Sequence, residues 1–404
     1  CCCGYRVGLY TSPHLDRLEE RFLINNEPCG NAELVEMVKH LRPVVEAMDR
    51  EAARHGSAGG PTYFEVTTAL AMLYFARSDV DLAILEVGMG GRLDSTNVCH
   101  PLVTAITSIS FDHTQQLGQT LAQIAGEKAG IIKEGVPIVS GEVEQSPRRV
   151  IERRASALRA PLLERGRDFD FVYERSVDPQ NDPARFSFFA RTTSVKQRER
   201  LQLGLFGEHQ AANAAVALAV IDSLRGAGWK FEEAEIRHGL ADVRCRGRLE
   251  VLQHDPLIVV DAAHNVASVK AFVDGLLELG LSGPRSLVFA TTLEKDVPGM
   301  LRLLLGHFKH VVFTRYLNNP RAVPPEQLAS LAAQCLVGEP QDALLKLQVC
   351  DHPQAAWQAA CSQYGGKGAI CVTGSFMFAA EMRRIVLANH RHRPVAGQAE
   401  TVTH

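Results

Sequence analysis

Apolar and polar positions along the chain fall into blocks that predict strands and helices in alternation. Largely apolar stretches, typical of strands buried on both faces, occupy residues 80–87, 102–109 and 136–140. Apolar residues at helical spacing fill other segments, and Asn31 and Thr62 are placed to cap two of the predicted helices. Strands that alternate with helices in this way favour an α/β fold with a parallel sheet covered by helices.

The pattern changes at two places, which suggests the domain organisation. Residues 165–203 carry more charge and alternate apolar with polar positions, so they predict a small antiparallel β insertion. A second α/β run begins near Arg248, with strands expected at residues 257–260, 286–290, 310–314 and 369–373. We expect a first domain over residues 1–246, a smaller second domain over 247–388, and a disordered polar tail over 389–404.

Composition and charge exclude several classes of protein. The 404 residues are too many for one hydrophobic core, and 46% hydrophobic with 22% charged residues is typical of a soluble globular protein. A net charge of −3 argues against nucleic-acid binding, and no apolar run is long enough to span a bilayer. The ten cysteines show no zinc-site or disulfide spacing, which favours reduced thiols in a cytoplasmic protein.

The segment from Leu85 to Asn97 is the strongest local feature of the sequence. A predicted strand ends at Glu86, and a glycine-rich turn follows it. Open α/β sheets bind ligands at the carboxyl ends of their strands, and a carboxylate there is well placed to hold Mg²⁺. The alternative is that Glu86 caps a neighbouring helix and that the glycines only turn the chain.

His113 and Lys128 are two further candidates. His113 also follows a predicted strand, and if that strand lies beside the one ending at Glu86, the two side chains share a sheet edge. A lone histidine is more often structural, and histidine is an unusual ligand for Mg²⁺. Lys128 lies in a helix with an apolar face, so it is either a solvated surface lysine or a partly buried amine that can react with carbon dioxide.

These motifs together resemble the folylpolyglutamate synthase/dihydrofolate synthase family, which belongs to the Mur ligase superfamily. The resemblance covers nearly the whole chain, to about Leu387. Its segments, in chain order, are Gly8–Leu15, Glu86–Asn97, Asp112–Gly118, Glu127–Lys133, Phe206–Ala219, Arg246–Glu250, Val259–Asn265, Leu293–Asp296 and Thr373–Arg384. The resemblance implies a P-loop-type parallel-sheet ATPase domain, incomplete at its amino end, and a smaller Rossmann-like C-terminal domain.

The resemblance also implies a role for each candidate residue. Ser12, Glu86 and His113 are expected to hold the Mg²⁺ that bridges the phosphates of ATP. Lys128 is expected to be carbamylated and associated with a second Mg²⁺. The nucleotide-binding residues implied for the two domains are His209, Asn213, Arg248, Asp261 and His264. Of all these residues, His113, Lys128 and His264 are the ones implied to serve the reaction itself.

Each of these roles has a simpler alternative. Ser12 precedes Pro13 and so fits an ordinary turn. Asn213 fits a helix-face amide, Arg248 a surface ion pair, and Asp261 the cap of a following helix.

The chain departs from the family pattern in two ways. A phosphate-binding sequence G-x-x-x-x-G-K-[ST] is not found, and the resemblance places it upstream of Cys1; residues 365–368 resemble it only superficially. Because such a loop contributes backbone amides and a lysine to phosphate binding, we expect the chain as given to have little or no ligase activity. In the second domain, Asp261-Ala262-Ala263-His264-Asn265-Val266 replaces the usual DGAHN followed by proline.

The reaction implied is ATP-dependent ligation of L-glutamate to the carboxylate of dihydropteroate or of a folate, through an acyl phosphate. The sequence does not distinguish these two substrates, and a monomer is the family expectation. Two other functions remain open at this point: a Mur-type ligase of cell-wall synthesis and a non-catalytic binding relative without a phosphate loop.

Overall fold

The computed structural model describes residues 1–56, 59–176, 183–193, 195–280, 283–317, 319–337, 345–363 and 368–391. It divides into two compact units, Cys1–Arg244 and Cys245–His404. Both are built from strands and helices, which confirms the predicted α/β class. Most of the predicted tail and most of the phosphate-loop look-alike at 365–368 lie outside the described residues.

The first sheet of unit Cys1–Arg244 has four strands in the order β3-β2-β1-β4. Strands and helices of this region, in chain order, are β1 (Val7–Tyr10), β2 (Phe22–Ile24), β3 (Glu27–Pro28), α1 (Asn31–Arg54), α2 (Tyr63–Arg77) and β4 (Leu82–Leu85). Strands β1 and β4 are parallel, with Tyr10 opposite Leu85. The chain therefore leaves both strands at the same edge of the sheet.

The two capping residues predicted here have different outcomes. Thr62 forms a capping box with Glu65 at the start of α2, as predicted. Asn31 is instead the first residue of α1, and Gly30 takes the capping position.

Strand β4 is not buried on both faces, and this prediction is wrong. It ends the sheet and, among the described strands, pairs with β1 alone. Ala83 and Ile84 are exposed, Ile84 with 51% of its surface accessible. An apolar sequence specifies a buried strand only where a neighbour covers it, and β4 has none on its outer side within the described part of the chain.

A second sheet of the same unit is fully parallel and has the order β5-β6-β7. Its elements are β5 (Thr104–Ile106), α3 (Thr114–Leu117), α4 (Leu121–Lys128), β6 (Ile138–Ser140), α5 (Gln145–Ala157) and β7 (Leu162–Glu164). Side chains of Ile124, Ile138 and Ile151 are fully buried between the sheet and its helices. Because β4 and β5 belong to different sheets, the strands before Glu86 and His113 are not neighbours, so the condition for a shared sheet edge is not met.

The rest of unit Cys1–Arg244 contains a small antiparallel sheet in the order β10-β9-β8. The elements are β8 (Phe169–Glu174), β9 (Arg185–Ala190), β10 (Arg198–Gln202), α6 (Glu208–Gly226) and α7 (Glu233–Asp242). Phenylalanines of this sheet pack with the alanine-rich face of α6 in one apolar cluster. The buried Arg198 of β10 forms an ion pair of 2.7 Å with Asp222 of α6.

Unit Cys245–His404 has one six-stranded sheet in the order β11-β12-β16-β13-β14-β15. Its elements are β11 (Glu250–His254), β12 (Leu257–Val260), α8 (Val266–Glu278), β13 (Arg285–Phe289), α9 (Val297–Leu305), β14 (His310–Phe313), α10 (Pro325–Cys335), β15 (Lys346–Val349), α11 (Pro353–Ser362), β16 (Ala369–Thr373) and α12 (Phe376–Arg391). All strands except β11 run parallel, and β12, β13, β14 and β16 match the predicted strands. None of the helices described in either unit is long and apolar enough to cross a membrane.

Candidate functional site

Ser12 and Glu86 lie together where two neighbouring parallel strands end. Ser12 comes two residues after β1, and Glu86 follows β4 directly. The backbone amide of Ser12 donates to Oε2 of Glu86 at 2.8 Å, and the amide of Glu86 donates to the carbonyl of Tyr10 at 2.9 Å. The structure therefore brings this predicted pair into contact at an exposed sheet edge.

Asp94 organises the glycine-rich loop that follows Glu86. One carboxylate oxygen of Asp94 accepts the amides of Gly88 at 3.0 Å and of Met89 at 2.9 Å. The other oxygen accepts the amide of Thr96 at 3.0 Å. A carboxylate inside the loop thus fixes its turn, so the loop is ordered by its own residues.

The glycine-rich loop packs against the end of helix α4. Gly91 has φ 158°, and a Cβ atom there would lie 2.9 Å from the carbonyl oxygen of Lys128. Arg92 pairs with Glu127 at 3.1 Å, and the Arg92 amide donates to the Glu127 carbonyl at 2.8 Å. Asn97 donates to the carbonyl of Gly130 at 3.2 Å. The segment that begins at Glu86 is thereby held to the helix that carries Lys128.

Lys128 is a largely buried amine at the end of α4. Burial lowers the pKa of its side chain, and the negative charge of Asp112 partly opposes that shift. A lowered pKa increases the share of neutral amine, which is the form that reacts with carbon dioxide. Of the two roles weighed from the sequence, the structure favours the buried amine.

His113 lies beside Asp112 on the segment between β5 and α3. Its backbone has φ 49°, in the left-handed region that histidine occupies more often than most residues. The amide of His113 donates to Oδ1 of Asp112 at 2.9 Å, and Nε2 lies 3.9 Å from the same oxygen. His113, Asp112 and Lys128 therefore form a second group of candidate residues in this unit, besides Ser12 and Glu86.

His209 and Asn213 lie in the first turns of α6. The space next to Gly207 is filled by the imidazole of His209, whose Cε1 would lie 2.7 Å from a Cβ atom there. The side chain of Asn213 is exposed and donates to Oε1 of Gln210 at 3.3 Å. Both residues lie on one helix end, and neither is part of the two groups described above.

Asp261 is a buried carboxylate at the end of β12. Its two oxygens accept the amides of Leu249 at 2.7 Å and of Ala263 at 2.8 Å. Burial raises the pKa of the Asp261 carboxyl, and these two amides and the guanidinium of Arg248 act in the opposite direction. The carboxylate thus joins the segment that carries Arg248 to the loop that carries His264.

Arg248 and His264 both lie near Asp261, but their side chains make different interactions. Arg248 is exposed, and its charge acts on the Asp261 carboxylate. Nδ1 of His264 lies 2.9 Å from the carbonyl oxygen of Ala262. The cap of the following helix α8 is Asn265, which accepts the amide of Ser268 at 2.8 Å. Asp261 is therefore not the helix cap that the sequence allowed.

Sequence reasoning missed several polar side chains that the structure places at the same edges. Asp94 and Asp112 lie within recognised motifs, but their contacts become visible only in three dimensions. At the carboxyl end of the second unit's sheet, the buried hydroxyls of Thr291 and Thr314 have no hydrogen-bond partner within the described residues. Buried polar groups of this kind are uncommon.

The donor set around Ser12 and Glu86 fits a hard divalent cation. A carboxylate and a hydroxyl supply oxygen ligands, which Mg²⁺ prefers. No three His, Cys, Asp or Glu side chains converge on one point in the described part of the chain. A cation held by one or two protein oxygens, by water and by phosphates needs no such convergence.

Two family matches cover most of the chain. Residues 36–221 match the Mur ligase middle domain, and residues 247–376 match the Mur ligase, glutamate ligase domain. The two matches lie within unit Cys1–Arg244 and unit Cys245–His404 respectively.

Individual relatives extend this similarity. The chain is 32% identical to the dihydrofolate synthase/folylpolyglutamate synthase of Bacillus subtilis, over 94% of this chain and 84% of that protein. The folylpolyglutamate synthase of Mycobacterium tuberculosis, solved with ADP and AMPPCP, has a TM-score of 0.83 at 30% identity, covering 95% of this chain and 85% of that one. The bifunctional enzyme of Yersinia pestis, complexed with AMPPNP and Mn ion, has a TM-score of 0.77 at 28% identity, with coverage of 96% and 83%. On this similarity the chain belongs to the folylpolyglutamate synthase/dihydrofolate synthase family of the Mur ligase superfamily.

Proposed function

We propose that this chain joins L-glutamate to a pterin-linked carboxylate, either that of dihydropteroate or the terminal carboxylate of a folate. Family membership makes it an ATP-dependent ligase that acts on folates and glutamate, and sets aside the cell-wall ligase considered from the sequence. The contact between Ser12 and Glu86, at the shared end of two parallel strands, is the single observation that carries the proposal for the catalytic site.

The ligation needs an activated carboxylate, because an amine does not displace the oxygen of a free carboxylate. Transfer of the γ-phosphoryl group of ATP to the substrate carboxylate forms an acyl phosphate and releases ADP. The amino group of glutamate then attacks the acyl carbon, loses a proton and expels inorganic phosphate. The protein has to align these groups and to stabilise negative charge on the phosphoryl oxygens.

We assign the divalent cation to Ser12 and Glu86, with His113 as a further ligand. The family uses ATP with a divalent metal, and the oxygen donors of Ser12 and Glu86 fit Mg²⁺. When bound, Mg²⁺ neutralises charge on the nucleotide phosphates. The backbone amide of Ser12 orients the Glu86 carboxylate through the 2.8 Å hydrogen bond.

We further propose that Lys128 is carbamylated and belongs to a second Mg²⁺ site. The amine attacks the carbon of carbon dioxide and loses a proton, which leaves an anionic oxygen donor. Burial of Lys128 and its lowered pKa support this step, because the reaction requires the neutral amine. Asp112, whose charge acts on Lys128, would help to hold the loop segment of His113 near that site.

We assign nucleotide-binding roles to residues of each unit taken by itself, as the family resemblance implies. His209 and Asn213 contribute from the first turns of α6, and Arg248 and His264 from the segments that Asp261 joins. In this assignment Asp261 acts through its neighbours, since backbone amides occupy both of its oxygens. We also propose that the chain is a monomer in the cytoplasm; its ten free thiols are in keeping with a reducing compartment.

ADP formation that depends on both glutamate and a pterin substrate tests the proposal. In a form of the protein that carries a phosphate-binding loop, we expect ADP release with dihydropteroate or tetrahydrofolate plus glutamate, and at least a hundredfold loss for Glu86→Gln. The chain as given should release far less ADP under the same conditions. Glu27→Gln, an exposed carboxylate on β3, is the matched control. Equal activity of Glu86→Gln and Glu27→Gln would remove Glu86 from the site, and ADP release that ignores both acceptors would reject the ligase reaction.

A further inference from the structure

Glu142 is a buried carboxylate that the proposed reaction does not use. It lies two residues after β6, and only 3% of its surface is accessible. Oε1 accepts the amides of Val143 at 2.9 Å and of Glu144 at 2.7 Å, both in its own turn. Oε2 accepts the amide of Ile109 at 2.6 Å, across to the segment that follows β5. The short distance and the burial mark a strong, charge-assisted hydrogen bond.

The chain after β6 reaches this segment because Gly141 has no side chain. A Cβ atom on Gly141 would lie 2.4 Å from the carbonyl oxygen of Thr107. The amide of Gly141 donates to the carbonyl of Ile106 at 2.8 Å. Gly141 and Glu142 thus form hydrogen bonds at two nearby positions, Gly141 to Ile106 at the end of β5 and Glu142 to Ile109 in the segment that follows.

The segment after β5, which Glu142 holds at Ile109, also carries the candidate site residues Asp112 and His113. Ile109 is itself buried in the apolar cluster of the second sheet. Asp112 and His113 follow within four residues, and Asp112 acts electrostatically on Lys128. A shift of the chain at Ile109 would therefore move Asp112 and His113 relative to Lys128.

We propose that Glu142 is a positioning residue for the cation site: its carboxylate, bonded to the amide of Ile109, fixes the place of Asp112 and His113 relative to Lys128. The proposal rests on the metal-binding role assigned above to His113 and Lys128. Groups that hold metal ligands in place affect metal affinity about tenfold or more when they are removed. Glu142 would act in this manner through the backbone.

Two variants of Glu142 distinguish the effect of its hydrogen bond to Ile109 from the effect of its hydrogen bonds within its own turn. Glu142→Gln puts an amide NH₂ among backbone donors, so one of the three hydrogen bonds is lost. Glu142→Asp keeps the charge and can still accept the amide of Glu144, as aspartate does in turns, but is too short to reach Ile109. Glu144→Gln is the matched control, because Glu144 is exposed and its side chain does not cap α5.

The decisive measurement is binding of Mn²⁺ in the presence of ATP, followed by electron paramagnetic resonance, together with amide hydrogen exchange at residues 107–113. We expect both Glu142 variants to raise the Kd for Mn²⁺ about tenfold. Exchange at Ile109 should become about tenfold faster. Glu144→Gln should match the parent in both measurements. If Glu142→Gln does not fold, as judged by its thermal transition, Glu142→Asp decides the question.

Unchanged Mn²⁺ affinity in both Glu142 variants, despite faster exchange at Ile109, would overturn the proposal and leave Glu142 a structural residue. A parent chain that binds no Mn²⁺ with ATP would instead refute the proposed metal site, and the role of Glu142 would fall with it. The two failures are distinct, because the first appears only in the variants and the second already appears in the parent.

Discussion

Arg92 and Glu127 are joined twice, once through their side chains and once through their backbones. The guanidinium nitrogen Nη2 lies 3.1 Å from Oε1, and the Arg92 amide donates to the Glu127 carbonyl at 2.8 Å. Arg92 belongs to the loop that begins after Glu86, and Glu127 precedes Lys128 on α4. This double contact ties together the two parts of the unit that carry the proposed metal ligands.

Glu127→Gln should therefore impair activity more than it impairs stability. The ion pair is partly exposed, with 55% of the Arg92 side chain accessible, so its loss should lower the free energy of unfolding by less than about 1 kcal/mol. Release of the glycine-rich loop after Glu86 should lower kcat/KM about tenfold in a form of the protein that carries a phosphate-binding loop, because catalysis depends on ligand placement. Steady-state kinetics measures the change in kcat/KM, and urea unfolding measures the change in the free energy of unfolding. If the loss of kcat/KM, converted to free energy, is no larger than the loss of stability, the expectation is contradicted.

The loop after β1 should respond to acid through His14. Nδ1 of His14 accepts a hydrogen bond from Nε of Arg21 at 2.9 Å, which requires a neutral ring. Burial lowers the pKa of His14 below 6.5, and the charge of Arg21 lowers it further. The unfolded chain therefore binds this proton more readily, so the stabilisation is complete above pH 6.5 and is lost as the pH falls towards the folded value.

Hydrogen exchange of residues 11–21 at neutral pH and at about pH 5 measures this effect. Protection factors, which correct for the slower intrinsic exchange at lower pH, should be smaller at the acid pH for the parent. His14→Gln, whose amide oxygen can accept from Arg21 without titrating, should remove most of the difference. His40→Gln on the exposed face of α1 serves as the control and should behave as the parent does.

Asp261→Asn should destabilise unit Cys245–His404. The amide NH₂ of asparagine would face a backbone amide at one of the two positions where Asp261 accepts a hydrogen bond. A buried donor left without an acceptor costs about 1–3 kcal/mol, so the urea midpoint should fall. Asp351→Asn, at an exposed position before α11, is the control. A midpoint unchanged from that control would show that Asp261 does not join the two segments.

Arg198 and Asp222 provide a test of the interior of the first unit. Their side chains are 1% and 4% exposed and form two hydrogen bonds of 2.9 and 2.7 Å. Asp222→Ala should lower the free energy of unfolding by about 3–5 kcal/mol, because it leaves a buried guanidinium without its main partner. Replacing both residues by apolar ones of similar size should cost less than Asp222→Ala alone; thermal unfolding of the three proteins compares them.

Local patterns in the sequence were enough to predict much of the fold. The capping box at Thr62 was readable because all of its members lie within four residues. The strands of the second unit were readable because consecutive residues of β12, β13, β14 and β16 are buried, so an apolar sequence coincides with burial. For β4 the same apolar pattern gave a wrong prediction of burial. Whether Ile84 is exposed depends on whether another strand or helix covers β4, and the residue type does not determine that.

The candidate site was predictable as a set of residues but not as an arrangement. Glu86, His113 and Lys128 were found through family motifs, yet the separation of β4 and β5 into two sheets was not foreseen. The contact of Glu142 with Ile109 spans 33 positions, and no periodic pattern encodes such a pairing. The same holds for Asp261, which follows β12 and accepts a hydrogen bond from the amide of Leu249, the residue before β11.

The outer side of β4 has a practical consequence. A strand that, among the described elements, has a partner on one side presents a row of backbone donors and acceptors next to the exposed Ala83 and Ile84. Such a row accepts any extended segment of another polypeptide, including one from an identical copy. The chain, proposed above to be a monomer, should therefore self-associate through this strand only when it is concentrated, and Ile84→Lys should raise the concentration at which samples stay clear.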